Sequence, residues 1–83
     1  MPQFVFQIRP LTIGEGVELI CEGILPSPMQ HRHLYDAVIQ SFHLGRDLDA
    51  EIRIYDCESQ VADTIQINPP GFIASNLQQK TTP

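Results

Sequence analysis

Ser27-Pro28-Met29-Gln30-His31-Arg32-His33-Leu34-Tyr35-Asp36-Ala37-Val38-Ile39-Gln40-Ser41-Phe42-His43-Leu44-Gly45 is the stretch on which the fold turns. Its first four residues match a capping box with proline at the first helical position. The Ser27 hydroxyl can accept the Gln30 backbone N–H while the Gln30 side chain reaches back to Ser27. A helix is therefore expected over residues 28–44. Gly45 stands where a left-handed residue commonly closes a helix, and Arg46 adds a favourable charge at the negative end of the dipole. At about 100° per residue, Leu34, Ala37, Val38, Ser41 and Phe42 share a stripe, which Tyr35 and Ile39 widen. His33, Asp36, Gln40 and His43 take the opposite side. That apolar arc is wider than one sheet face requires, so it should meet either more of the chain or a partner.

Strand patterns lie on both sides of this helix. On the N-terminal side, Phe4, Phe6 and Ile8 alternate with Val5, Gln7 and Arg9, a period of two. Pro10 should end that strand, because proline cannot donate to a ladder. Gly14 and Gly16 mark a turn, and residues 17–22 alternate again, with Val17, Leu19 and Cys21 on one face. The short link makes these two segments an antiparallel hairpin. On the C-terminal side, residues 50–55 place Ala50, Ile52 and Ile54 on one face. Asp56-Cys57-Glu58-Ser59 is a turn, and residues 61–67 form the last strand. Asp63 shares its parity with Val61, Ile65 and Ile67; a carboxylate there must be paired, with Arg46 as a candidate, or lie at the periphery of the core, or be turned outward by a bulge. Asn68-Pro69-Pro70-Gly71 breaks regular structure. Phe72, Ile73 and Leu77 could dock through one short helical turn.

The pattern reads as α+β: a two-layer β-β-α-β-β domain, one helix packed on a mainly antiparallel four-stranded sheet. Residues 1–77 form the single domain and residues 78–83 a flexible tail. If the two strands flanking the helix are parallel, their connection should be right-handed.

Composition narrows the functional classes. The chain has 83 residues, 42% hydrophobic and 18% charged, which suits one globular domain with a small core. Added burial by self-association would matter to such a domain, so a homodimer is expected. Ten acids against five bases give a net charge of −5, which disfavours nucleic acid and anionic membrane as partners. No apolar stretch approaches the ~18 residues of a bilayer span. The N-terminal residues lack a basic, then long apolar, signal pattern, and Cys21 and Cys57 have no C-x-x-C spacing. A cytoplasmic protein with reduced thiols is expected.

Chemical motifs are sparse. No nucleophile elbow, phosphate loop, dinucleotide fingerprint or H-E-x-x-H helix is present, so catalysis and cofactors are not expected. On a continuous helix, His33, Asp36 and His43 would form a row, and zinc accepts imidazole and carboxylate. That makes a small metal protein or enzyme one alternative, against an ordinary solvated helix face. Asp47, Asp49 and Glu51 alternate near the start of the third strand but lack the pattern of a calcium loop. Cys57, between two acids, is in the wrong setting for a thiolate. The sheet face away from the helix should carry Val5, Ile20 and Tyr55 among charges. With Tyr35 and Ile39 on the helix, these are the candidate interface residues, for a second copy or for another protein. A nucleic-acid module using the sheet is the other alternative, with Tyr55 as its one outward aromatic.

Overall fold

The structure is a computed structural model and describes residues 2–68. Among these residues the chain forms β1 (Phe4–Pro10), β2 (Val17–Ile20), β3 (Met29–His31), α1 (Leu34–Leu44), β4 (Ala50–Tyr55) and β5 (Val61–Ile67). The strands make one five-stranded sheet in the order β3-β2-β1-β4-β5. The fold is thus α+β, one helix on a mixed sheet, with one strand more than the sequence pattern shows. The expected domain limit at residue 77, the tail at 78–83 and the docking turn of Phe72, Ile73 and Leu77 lie outside the described residues.

The expected hairpin is present. β1 and β2 are antiparallel, with Ile8 opposite Leu19 and Pro10 opposite Val17. Pro10 is the last residue of its strand, as a residue without an N–H should be. The connecting turn uses glycine where backbone geometry demands it. Gly16 has φ +116, and a Cβ there would stand 2.5 Å from the carbonyl oxygen of His31. β4 and β5 are likewise antiparallel, with an irregularity between Ile54 and Tyr55 that pairs Tyr55 with Val61 and skips Ala62.

The additional strand is made from the segment that resembles a helix start. Met29, Gln30 and His31 pair antiparallel with Leu19, Glu18 and Val17. Met29 thereby joins the core side with Leu19, and Gln30 lies opposite Glu18 on the other face. Burial of Met29 and the ladder bonds win over the capping signal. The helix begins instead after His33, whose backbone is extended (φ −122, ψ 143) and whose side chain makes no cap bond. At the other end Gly45 has φ −91 and is not left-handed, yet its N–H caps the helix by donating to the Ser41 carbonyl; the left-handed residue is Asp47, two positions on, at φ 69. Gly45 is required for space. A Cβ there would meet Ile67 Cδ1 at 2.9 Å and Phe6 Cε2 at 3.0 Å.

β1 and β4 are parallel, with Phe6 opposite Ile52. The helix therefore belongs to a crossover from β3 to β4, which share a direction. The strands expected to flank it, at residues 17–22 and 50–55, run opposite to one another with β1 between them.

The core is Phe6, Ile8, Leu19, Cys21, Ala37, Ala50, Ile52 and Ile67. Burying each large aliphatic or aromatic side chain contributes about 1.5–3 kcal/mol. The helix packs against β1, β2 and β3 through small residues: Ala37 and Ser41, four apart, are its buried positions. Ser41 is satisfied there by donating its hydroxyl to the Ala37 carbonyl at 2.8 Å. Small side chains let the helix sit close to the sheet, and the same close seat turns its larger residues outward.

Candidate functional site

Two surfaces carry the residues singled out above. The first is the sheet face away from the helix. Glu51, near the start of β4, is buried on this face, and a buried carboxylate needs partners. It has two: Arg53 Nε pairs with Oε2, and Gln66 Nε2 donates to Oε1 at 3.3 Å across from β5. The hydrogen bond and charge of Glu51, with a smaller contribution from Tyr55, push the Arg53 guanidinium above its ordinary range. On β1, Arg9 Nε donates to Gln7 Oε1 at 3.1 Å, while its guanidinium lies 3.8 Å from the centre of the Tyr55 ring, a cation–π contact. The face is a polar lattice laid over half-buried apolar groups. Val5, Ile20 and Tyr55 all lie in it, none of them among the exposed large apolar residues.

Two shallow hollows border this lattice. One, of about 420 Å³, is lined by Val5, Gln7, Ile20, Glu22 and Arg53 among others. The other, of about 390 Å³, lies at the opposite end, between Arg9, Glu18 and the turn bearing Asp56 and Cys57. That turn is rigidly tied: Asp56 Oδ1 accepts the N–H groups of Glu58 at 2.9 Å and Gln60 at 3.0 Å. Its carboxylate is therefore committed to the backbone. The stacking face of Tyr55 is likewise taken on one side by Arg9, so the one outward aromatic of the sheet is not an open platform for a base.

The second surface is the uncovered side of the helix and the corner of the sheet beyond it. Tyr35, Ile39 and Phe42, at i, i+4 and i+7, are 71%, 48% and 42% exposed, a row that soluble helices normally bury. Burial also fades outward along β4 and β5 on the helix side. Ala50 and Ile52 are buried and Ile54 half-buried; Ile67 is buried, Ile65 half-buried and Asp63 exposed, while Val61, paired with Tyr55 past the irregularity, follows Tyr55 to the other face. Asp63 thus lies at the periphery of the core, where its carboxylate accepts the Thr64 N–H at 2.8 Å.

The histidine row does not assemble. His33 precedes the helix, so the face it would share with Asp36 and His43 on a continuous helix is not formed. Among the described residues no group of three or more His, Cys, Asp or Glu side chains is placed to hold a metal. His31, whose pairing with Val17 the local pattern does not reveal, has a buried Nε2 with no hydrogen-bond partner among the described residues. Recognising β3 was the missing step. Both cysteines are free, Cys57 exposed and Cys21 buried; burial raises the Cys21 thiol pKa, partly offset by a hydrogen bond that the sulfur accepts from the Val5 backbone N–H. No helix among the described residues is long and apolar enough to cross a membrane. Comparison with family models, curated proteins and solved structures finds no match to the chain.

Proposed function

We propose that this chain is a small non-catalytic interaction module that acts by self-association, as a homodimer without a cofactor, in a reducing, cytoplasmic setting. One observation carries the reading: the helix packs by its small residues over β1–β3 and leaves a row of its own large apolar side chains open. Tyr35, Ile39 and Phe42 on the helix are exposed. Large apolar groups grouped on one side of a small domain mark a contact surface more often than a solvated one. A domain of this size also gains proportionally from any added burial.

The polar lattice of the other face supports the same assignment by contrast. Its two arginines are already engaged within the chain, Arg53 by Glu51 and Arg9 by Gln7 and the Tyr55 ring, which lowers what they could offer a nucleic-acid backbone. Sedimentation velocity of the full chain over a range of concentrations tests the reading. A dimer whose population rises with concentration is expected; a monomer at every concentration sinks it.

A further inference from the structure

We infer that residues 72–77 of the same chain dock on the exposed helix row, with Phe72, Ile73 and Leu77 against Phe42, Ile39 and Tyr35, as an internal cover that competes with a second copy. The inference rests on the row that carries the self-association reading and names what else fits it.

The path of the chain brings this segment to the row. β5 arrives at the C-terminal end of the helix: Ile67 Cδ1 lies where a Cβ on Gly45 would meet it at 2.9 Å. Asn68 then fastens the exit. Its side-chain amide donates to the Leu48 carbonyl at 2.7 Å and to the Gly45 carbonyl at 3.4 Å. Its backbone is left-handed, at φ 53, a conformation that asparagine tolerates and that turns the chain out of the strand. The residues after Asn68 therefore start beside the end of the helix. Phe42 is three residues before Gly45, about one turn or 5 Å along the axis. Ile39 and Tyr35 continue the row away from that point.

The sequence supplies an occupant of matching size. Phe72, Ile73 and Leu77 are the only large aliphatic or aromatic residues in 69–83. Four residues from Asn68 to Phe72 reach up to ~14 Å, and the row from Tyr35 to Phe42 is about 10 Å long. A chain that arrives at the helix's C-terminal end must double back to follow the row, and Pro69-Pro70-Gly71 puts a break in regular structure at that place. The tether favours the cover over a partner. A short linker holds its segment at an effective concentration on the order of millimolar, far above a second copy at micromolar concentration. Ordering the segment offsets part of the burial it gains, so the cover exchanges, and self-association is weakened rather than abolished.

Thiol protection in the full-length chain tests this. In a Cys57→Ser background, Ile39→Cys puts a probe in the row, and Gln30→Cys puts an exposed control on β3, on the sheet's other face. Both react with an aromatic disulfide reagent at a concentration where the chain sediments as a monomer, with an unreactive Cys21 reporting that the fold is intact. The expected result is that Phe72→Asp with Ile73→Asp speeds the Ile39→Cys reaction on the order of tenfold and leaves Gln30→Cys unchanged. Equal Ile39→Cys rates with and without the two tail substitutions overturn the cover, as does protection that appears only as concentration rises, which would make the occupant a second copy. Sedimentation of the Phe72→Asp, Ile73→Asp chain separates the two readings. A dimer that forms at roughly tenfold lower concentration than in the unsubstituted chain supports competition for one row. Released protection in a chain that stays monomeric at every concentration overturns self-association while the cover stands. A dimer whose affinity the two substitutions leave unchanged overturns the competition.

Discussion

The helix side of the sheet has two halves that began from the same kind of sequence and ended differently. β1 and β2 present Phe6, Ile8 and Leu19 to the helix, and all three are buried. β4 and β5 present Ile52, Ile54, Ile65 and Ile67 with the same alternation, yet burial is complete only near the helix's C-terminal end, at Ile52 and Ile67. Apolar periodicity assigns a face to each residue; it does not say whether anything covers that face. Coverage depends on where one eleven-residue helix lies on five strands, and a single helix about 10 Å wide cannot span a sheet of five strands spaced ~4.8 Å apart.

Substitutions in the two halves should separate accordingly. Phe6→Ala empties a fully enclosed site beneath the helix and should cost about 3–5 kcal/mol in urea unfolding; a loss under 1 kcal/mol would mean the covered half is loosely packed. The glycines come next. Gly16→Ala combines a positive φ with a Cβ 2.5 Å from the His31 carbonyl and should cost about 3 kcal/mol. Gly14→Ala, at φ +88 in open space, should cost about 1 kcal/mol. Equal losses would show that conformation, not crowding, governs the β1–β2 turn.

Cys21 gives a pH-dependent probe of the covered half. Its folded-state thiol pKa is raised by burial, so above the ordinary thiol range the unfolded chain releases a proton that the folded chain retains. Stability should therefore be unaffected by this group below that range and fall as pH rises through it. Cys21→Ala should flatten the alkaline limb of a stability–pH curve, and an unchanged slope would place the thiol in contact with water. A disulfide reagent at neutral pH should meanwhile titrate Cys57 at once and Cys21 only on unfolding. The smallest effect belongs to the uncovered corner. Val61→Ser at a 49% exposed site should change stability by no more than about 0.5 kcal/mol, measured at a concentration where the chain sediments as a monomer. A larger loss would mean that the corner is closed within one chain.

Much of this architecture is legible in the residues. The alternations at Phe4–Pro10, Ala50–Tyr55 and Val61–Ile67, the glycine turn before Val17 and the helix through Leu44 all follow from local pattern. Asp63 is recognisable as a residue that must be paired, peripheral or turned outward, and the tertiary structure places it at the periphery. The failures cluster at residues 27–33. Three residues are too few for periodicity to register, and Ser27-Pro28-Met29-Gln30 satisfies helix-start chemistry on its own terms. What overrides it is a ladder with Val17–Leu19, a contact between segments distant in sequence. The lost histidine row follows from that one shift, since His33 is left outside the helix. Gly45 fails differently: its place after the helix was legible, but its reason was the crowding of Ile67 and Phe6, which no local pattern contains.

Local chemistry, then, determined which segments of this chain are extended, which one is helical and which side of each is apolar, because backbone propensity, turn geometry and side-chain periodicity act over a few residues. Only the tertiary structure decided that β1 and β4 lie side by side and parallel, that a three-residue strand closes one edge, and that β5 is left as the other. Those outcomes come from hydrogen-bond ladders and side-chain volumes meeting across the fold, where small residues at Ala37, Ser41 and Gly45 set how closely one helix can sit and therefore how much of the sheet it leaves uncovered.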